Sequence, residues 1–123
     1  MSEETRRFEL QVPADPTLGV TVRVFVTEAA RRLGLGGADV DDLRLAATEL
    51  LANAVESSGS ALGLTLRVDG GRWYLAATGA GTLATASDGV IDRGDVLRAL
   101  AQVREADGNI EVSSDVTPPD PAR

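Results

Sequence analysis

The apolar positions alternate from Arg6 to Val12, with Phe8, Leu10 and Val12 on one face, and Pro13 closes the segment. That period of two predicts a short strand. Asp15-Pro16 then reads as a helix start, an N-cap followed by proline at the first helical position. Two patterns compete in the next stretch. Val20, Val22, Val24 and Val26 alternate as on a strand, whereas Leu18, Val22, Phe25 or Val26, Ala29 and Leu33 form a helical stripe. The length of the stripe, its capped start and the stop at Gly34 favour a helix, despite its β-branched residues. Gly36-Gly37 is a turn. Asp39 is the expected cap of a second helix, with Asp41 and Asp42 in its first turn, where negative charge suits the helix dipole. Its wide apolar face comprises Val40, Leu43, Ala47, Leu50, Leu51, Ala54 and Val55, and it ends at Ser57-Ser58-Gly59.

The period returns to two in Leu62, Leu64, Leu66 and Val68. Asp69-Gly70-Gly71 is a hairpin signal, and Trp73, Leu75 and Ala77 alternate on the returning strand. Gly79 to Asp92 is small and polar and reads as a loop. Val96, Leu97, Leu100 and Val103 predict a third helix from Arg93 to Glu105, Asp107-Gly108 a turn, and Ile110 and Val112 a last strand. The expected order is β-α-α-β-β-loop-α-β. It implies an α/β two-layer sandwich, with a mixed, mostly antiparallel sheet covered on one face by helices. Residues 1–5 and the Pro-rich 118–123 are expected to be disordered, leaving one domain over 6–117.

Composition narrows the chemistry. The 123 residues contain no Cys and no His, and all 12 cationic side chains are Arg. Disulfides, thiolate or imidazole metal ligands, imidazole bases and lysine chemistry are therefore excluded. Carboxylates, hydroxyls, amides, Arg and backbone remain. The net charge of −7 disfavours nucleic acid as a partner. No apolar run reaches the roughly 18 residues of a membrane span, and the N-terminus has no signal-peptide core. A cytoplasmic location is expected. Aromatics are only 3%, so the core is expected to be built from Ala, Val and Leu, with Trp73 as an anchor.

Glu49 and Asn53, one turn apart, share a face of the second helix. A carboxylate and an amide at that spacing can hold a hydrated Mg²⁺, which takes one or two protein oxygens and fills its shell with water and phosphate. A plain, partly exposed hydrogen-bonded pair is the reading that spacing alone favours. Gly79-Ala80-Gly81 alone is no more than a turn after a strand.

The string from Asp41 to Ser58, DDLRLAATELLANAVESS, resembles the N box of the GHKL (histidine kinase-like) ATP-binding superfamily, and is most similar to the anti-sigma factor serine kinases. Asp42, Leu45-Ala46, Glu49 and Asn53-Ala54 carry the likeness, which extends weakly over residues 8 to 112. The resemblance implies a Bergerat-type sandwich with a left-handed β-α-β unit, Glu49 as general base toward a protein serine or a water, and Asn53 as ligand of the Mg²⁺ that bridges the ATP phosphates. Thr78, Gly79 and Gly81 would be further cofactor-binding residues.

One departure is prominent. The family's Asp-x-Gly-x-Gly, whose Asp binds the adenine amino group, appears here as Ala77-Thr78-Gly79-Ala80-Gly81. A methyl cannot accept that hydrogen bond. Of the second glycine motif, Arg93-Gly94-Asp95 is the only echo. The expectation is an anti-sigma-like regulator that binds a sigma factor or a STAS-domain anti-anti-sigma protein, with ATP binding weakened or lost. The resemblance also suggests a homodimer. Alternatives are an active ATP-dependent serine kinase and an inactive interaction or dimerisation module.

Overall fold

The computed structural model describes residues 6–83 and 92–118. Strand β1 (Arg7–Pro13) leads through a 3₁₀ turn (Pro16–Leu18) into α1 (Gly19–Arg32) and α2 (Gly37–Glu56). Strands β2 (Ala61–Asp69) and β3 (Arg72–Thr78) follow, then α3 (Arg93–Leu100), β4 (Gln102–Ala106) and β5 (Asn109–Asp115). The sheet order is β1-β2-β3-β5-β4, and every neighbouring pair is antiparallel.

The alternation seen in the sequence sets the inner face. Leu62, Leu64 and Leu66 of β2, Trp73, Leu75 and Ala77 of β3, and Ile110 and Val112 of β5 are buried together with Val12 of β1. Val22, Val26, Ala29 and Ala30 of α1 and Leu43, Ala46, Ala47, Leu50, Leu51 and Ala54 of α2 complete that core. Alanines on both helices bring their backbones close, which is how a core with few aromatics remains dense. Trp73 is fully buried, and its indole N–H has no partner among the described residues. The sheet is thus covered by helices on one face, and its other face is polar. There the Arg67 guanidinium lies 3.9 Å from the Tyr74 ring centroid, and Arg72 reaches Asp115, Gln102 and Ser113.

The α1 segment is helical, so the stripe prevails over the valine alternation, but α1 starts at Gly19 without a side-chain cap, not at Asp15-Pro16 as expected. Asp15 caps the 3₁₀ turn by accepting from the Thr17 N–H at 2.8 Å. Gly34 ends the helix at φ +82°.

Three expectations are corrected. Among the described strands the sheet is antiparallel throughout, not mixed. Asp39 does not cap α2: Gly36 holds that position without a side-chain bond, and Asp39 lies inside the first turn. Its carboxylate instead accepts from the Thr117 N–H (2.9 Å) and hydroxyl (2.7 Å) and pins the chain after β5 to the start of α2. Asp41 and Asp42 fall in the second turn. The third helix stops at Leu100, not Glu105; Ala101 is fully extended (φ −165°, ψ 179°), and Gln102–Ala106 is a strand. The helical spacing of Val96, Leu97, Leu100 and Val103 continued by coincidence, since β4 is an edge strand whose only inward apolar residue is half-buried Val103. The element order is therefore β-α-α-β-β-α-β-β. The expected loop Gly79 to Asp92 is described only at its ends; 84–91, and the expected tails at 1–5 and 119–123, lie outside the described residues.

Candidate functional site

The C-terminal half of α2 meets the end of β3 at a glycine junction. Gly59 follows α2, and a Cβ there would stand 3.1 Å from the Gly79 carbonyl oxygen. Gly79 has φ +73°, and a Cβ on it would collide with the Ala61 carbonyl at 2.3 Å. Gly81 has φ +82°, and its Cβ would fall 2.1 Å from Ser57 Oγ and 3.6 Å from Asn53 Nδ2. Both glycines that follow Ala77 are thus required sterically.

Asn53 is 5% exposed. Its Nδ2 donates to the carbonyls of Ala80 (2.8 Å) and Thr82 (3.3 Å), which holds the glycine segment against α2. No described residue donates to its amide oxygen, which leaves that atom able to act as a ligand. Glu49, one turn earlier, is partly buried, with 23% of its side chain exposed. Its Oε2 faces Arg93 Nε at 3.6 Å. Arg93 also donates from both terminal nitrogens to Glu56 (2.7 and 2.6 Å). Arg93 opens α3, whose N-terminus carries a capping box: Asp92 accepts from the Asp95 N–H, and Asp95 from the Asp92 N–H. Leu83 is fixed by its N–H to Glu105 at 2.9 Å.

The structure brings Glu49, Asn53 and Gly81 together and separates Thr78 from them. Thr78 is exposed on the outer sheet face, with its hydroxyl over Gly63, among Glu9, Gln11 and Thr65. Ala77 is buried on the inner face, between Leu64 and Ile110 in register. The Arg93–Glu56 clamp was not foreseen. Its signal is the Asp92-Arg93-Gly94-Asp95 string, a helix start that exposes a cation to the carboxylates of α2. Among the described residues no cluster of three acidic side chains suits a metal, and no helix is long and apolar enough to cross a membrane.

The donor set fits Mg-ATP only in part. The Asn53 oxygen suits a hydrated cation, but the Glu49 carboxylate already faces Arg93 at 3.6 Å. At the position to which the resemblance assigns adenine recognition, the buried Ala77 methyl offers no acceptor.

No curated protein matches the chain. The family model of the histidine kinase-like ATPase domain matches residues 12–107, from the last inward residue of β1 to the β4–β5 turn. The match spans well over half of the sequence and includes every element of the site just described. The chain belongs to the histidine kinase-like ATPase domain family.

Proposed function

We propose that this protein is a regulatory binding protein of the anti-sigma type, which engages a sigma factor or a STAS-domain partner and has weakened or lost ATP binding. The observation that carries this reading is Ala77, 1% exposed and packed in register between Leu64 and Ile110. A buried donor left unpaired there costs on the order of 1–3 kcal/mol, about tenfold to over a hundredfold in affinity. Two further features support it. Glu49 faces an internal cation, Arg93. Thr78 is on the other side of the sheet.

The test is affinity capture from the native host, followed by incubation of captured partners with Mg-ATP. A captured sigma factor or STAS protein without phosphoserine formation is the expected result. Phosphoserine on the partner that disappears in Glu49→Gln would replace this reading with that of an active kinase. Capture of neither class would remove it.

A further inference from the structure

Helix α1 turns two large apolar side chains outward. Val20 is 63% exposed and Val24 61%, and with Leu45 at 41% they are the exposed large hydrophobics of the described residues. Val20, Val24, Thr27 and Arg31 follow one another at i, i+4, i+7 and i+11, so they form a straight stripe of about 16 Å along the helix. With Arg44 on α2 they line an open groove of about 530 Å³.

The groove is cationic, in a chain of net charge −7. Arg23, Arg31 and Arg44 line it, and none of the three makes an ion pair with a described residue. Its one carboxylate, Glu28, is already paired with Arg32 at 3.0 Å. Asp41, one turn before Arg44, makes no ion pair with it. Two neighbouring apolar side chains bordered by unneutralised arginines have a defined complement: a helix with an apolar stripe and carboxylates on its flanks.

We infer that the α1–α2 groove around Val20 and Val24 is a docking surface for an acidic amphipathic helix of a partner protein. The stripe's helical spacing suits a helix laid alongside α1, with Val20 and Val24 meeting its apolar residues. Arg23, Arg31 and Arg44 meet its carboxylates and set the register. A second copy of the chain is a poorer occupant, because the same three arginines would face each other across a two-fold contact. The inference rests on the protein-binding reading above and adds the surface and the chemistry of what it binds.

The test is selection from a displayed library of helical peptides on the full chain, then anisotropy titration of an enriched peptide. The expected peptide carries Leu, Ile or Val at i, i+3/i+4 and i+7 with Asp or Glu beside them. Val24→Asp weakens it by about tenfold or more, and so does Arg23→Glu combined with Arg44→Glu, since charge reversal across an interface is strongly unfavourable. Both variants alter exposed or half-buried positions, and unchanged circular dichroism shows that they fold. Glu9→Gln, on the exposed sheet face away from α1 and α2, leaves the peptide affinity unchanged. Basic peptides, peptides that bind Val24→Asp equally, or no enrichment would overturn the inference. A concentration-dependent dimer that Val24→Asp dissolves would also overturn it, assigning the groove to a second copy. If a sigma factor or STAS partner is captured equally by Val24→Asp, the surface is wrong and the proposed function stands. If Mg-ATP phosphorylation is found while acidic peptides still need Val24, the function is wrong and the surface stands.

Discussion

Arg93 joins Glu56 through two hydrogen bonds of 2.7 and 2.6 Å and also faces Glu49 at 3.6 Å, so one guanidinium ties the start of α3 to two turns of α2. Glu56 is 61% exposed, which screens the pair. A double-mutant cycle of Arg93→Ala and Glu56→Ala is expected to give a coupling of about 0.5–1 kcal/mol by urea unfolding. Glu49→Gln, at the longer distance, should couple to Arg93 by less. A larger coupling to Glu49 than to Glu56 would reverse the assigned order of contacts.

Asp39 and Thr117 form the equivalent tie at the other end of α2. Asp39 is 2% exposed and accepts two hydrogen bonds from Thr117. Asp39→Ala should destabilise by about 1–3 kcal/mol, because charged acceptors make the stronger bonds. Thr117→Val keeps the N–H bond and should cost about 1 kcal/mol. Equal costs in the two variants would show that the backbone bond contributes nothing.

The glycine junction separates strained from unstrained positions. Gly79→Ala combines φ +73° with a clash against the Ala61 carbonyl, and a loss of about 2 kcal/mol or more is expected. Gly37→Ala is the control. Gly37 opens α2, and a Cβ there meets nothing within 4 Å, so alanine should stabilise by about 0.5 kcal/mol. Thermal unfolding of the two variants in opposite directions would support this reading of the junction.

Asp42 titrates above the ordinary Asp value, first because burial penalises its charge and then because Asp39 and Asp41 are close. The sign follows from linkage: the folded state holds this proton more tightly than the unfolded chain, so its ionised form is destabilising. Asp42→Asn should therefore raise stability at neutral pH. The gain should shrink as pH falls through the folded Asp42 pKa and vanish below the unfolded value near 3.8. Asp15 has the opposite sign: its bonds from the Thr17 N–H and hydroxyl lower its pKa. Its contribution is present above the unfolded value and is lost as pH falls through the depressed one. Denaturation midpoints of Asp42→Asn and the natural chain between pH 3 and 7 provide the check.

Most of the inner sheet face was legible because its periodicity is local. Leu62 to Val68, the Gly70-Gly71 turn with both φ positive, and Trp73 to Ala77 are self-contained signals. Strand β4 was hidden because its side chains are mostly exposed and its identity comes from pairing with β5. The hint was Asp107-Gly108, whose positive φ values (51° and 80°) match the Gly70-Gly71 hairpin turn and so imply a strand on each side. The Asp39–Thr117 bond spans 78 positions, and no local pattern encodes it. Glu49 and Asn53 were legible from one turn of helix, while the partners that occupy them, Arg93 and the Ala80 and Thr82 carbonyls, depend on the tertiary fold.

The central proposal is that Ala77 leaves this chain unable to read adenine. Calorimetric titration with Mg-ATP and Mg-ADP, run beside Ala77→Asp with its folding checked by circular dichroism, tests it most directly. The account predicts no binding by the natural chain at micromolar nucleotide and measurable binding by a folded Ala77→Asp. Micromolar binding by the natural chain would contradict it, because adenine would then be read by a group other than residue 77.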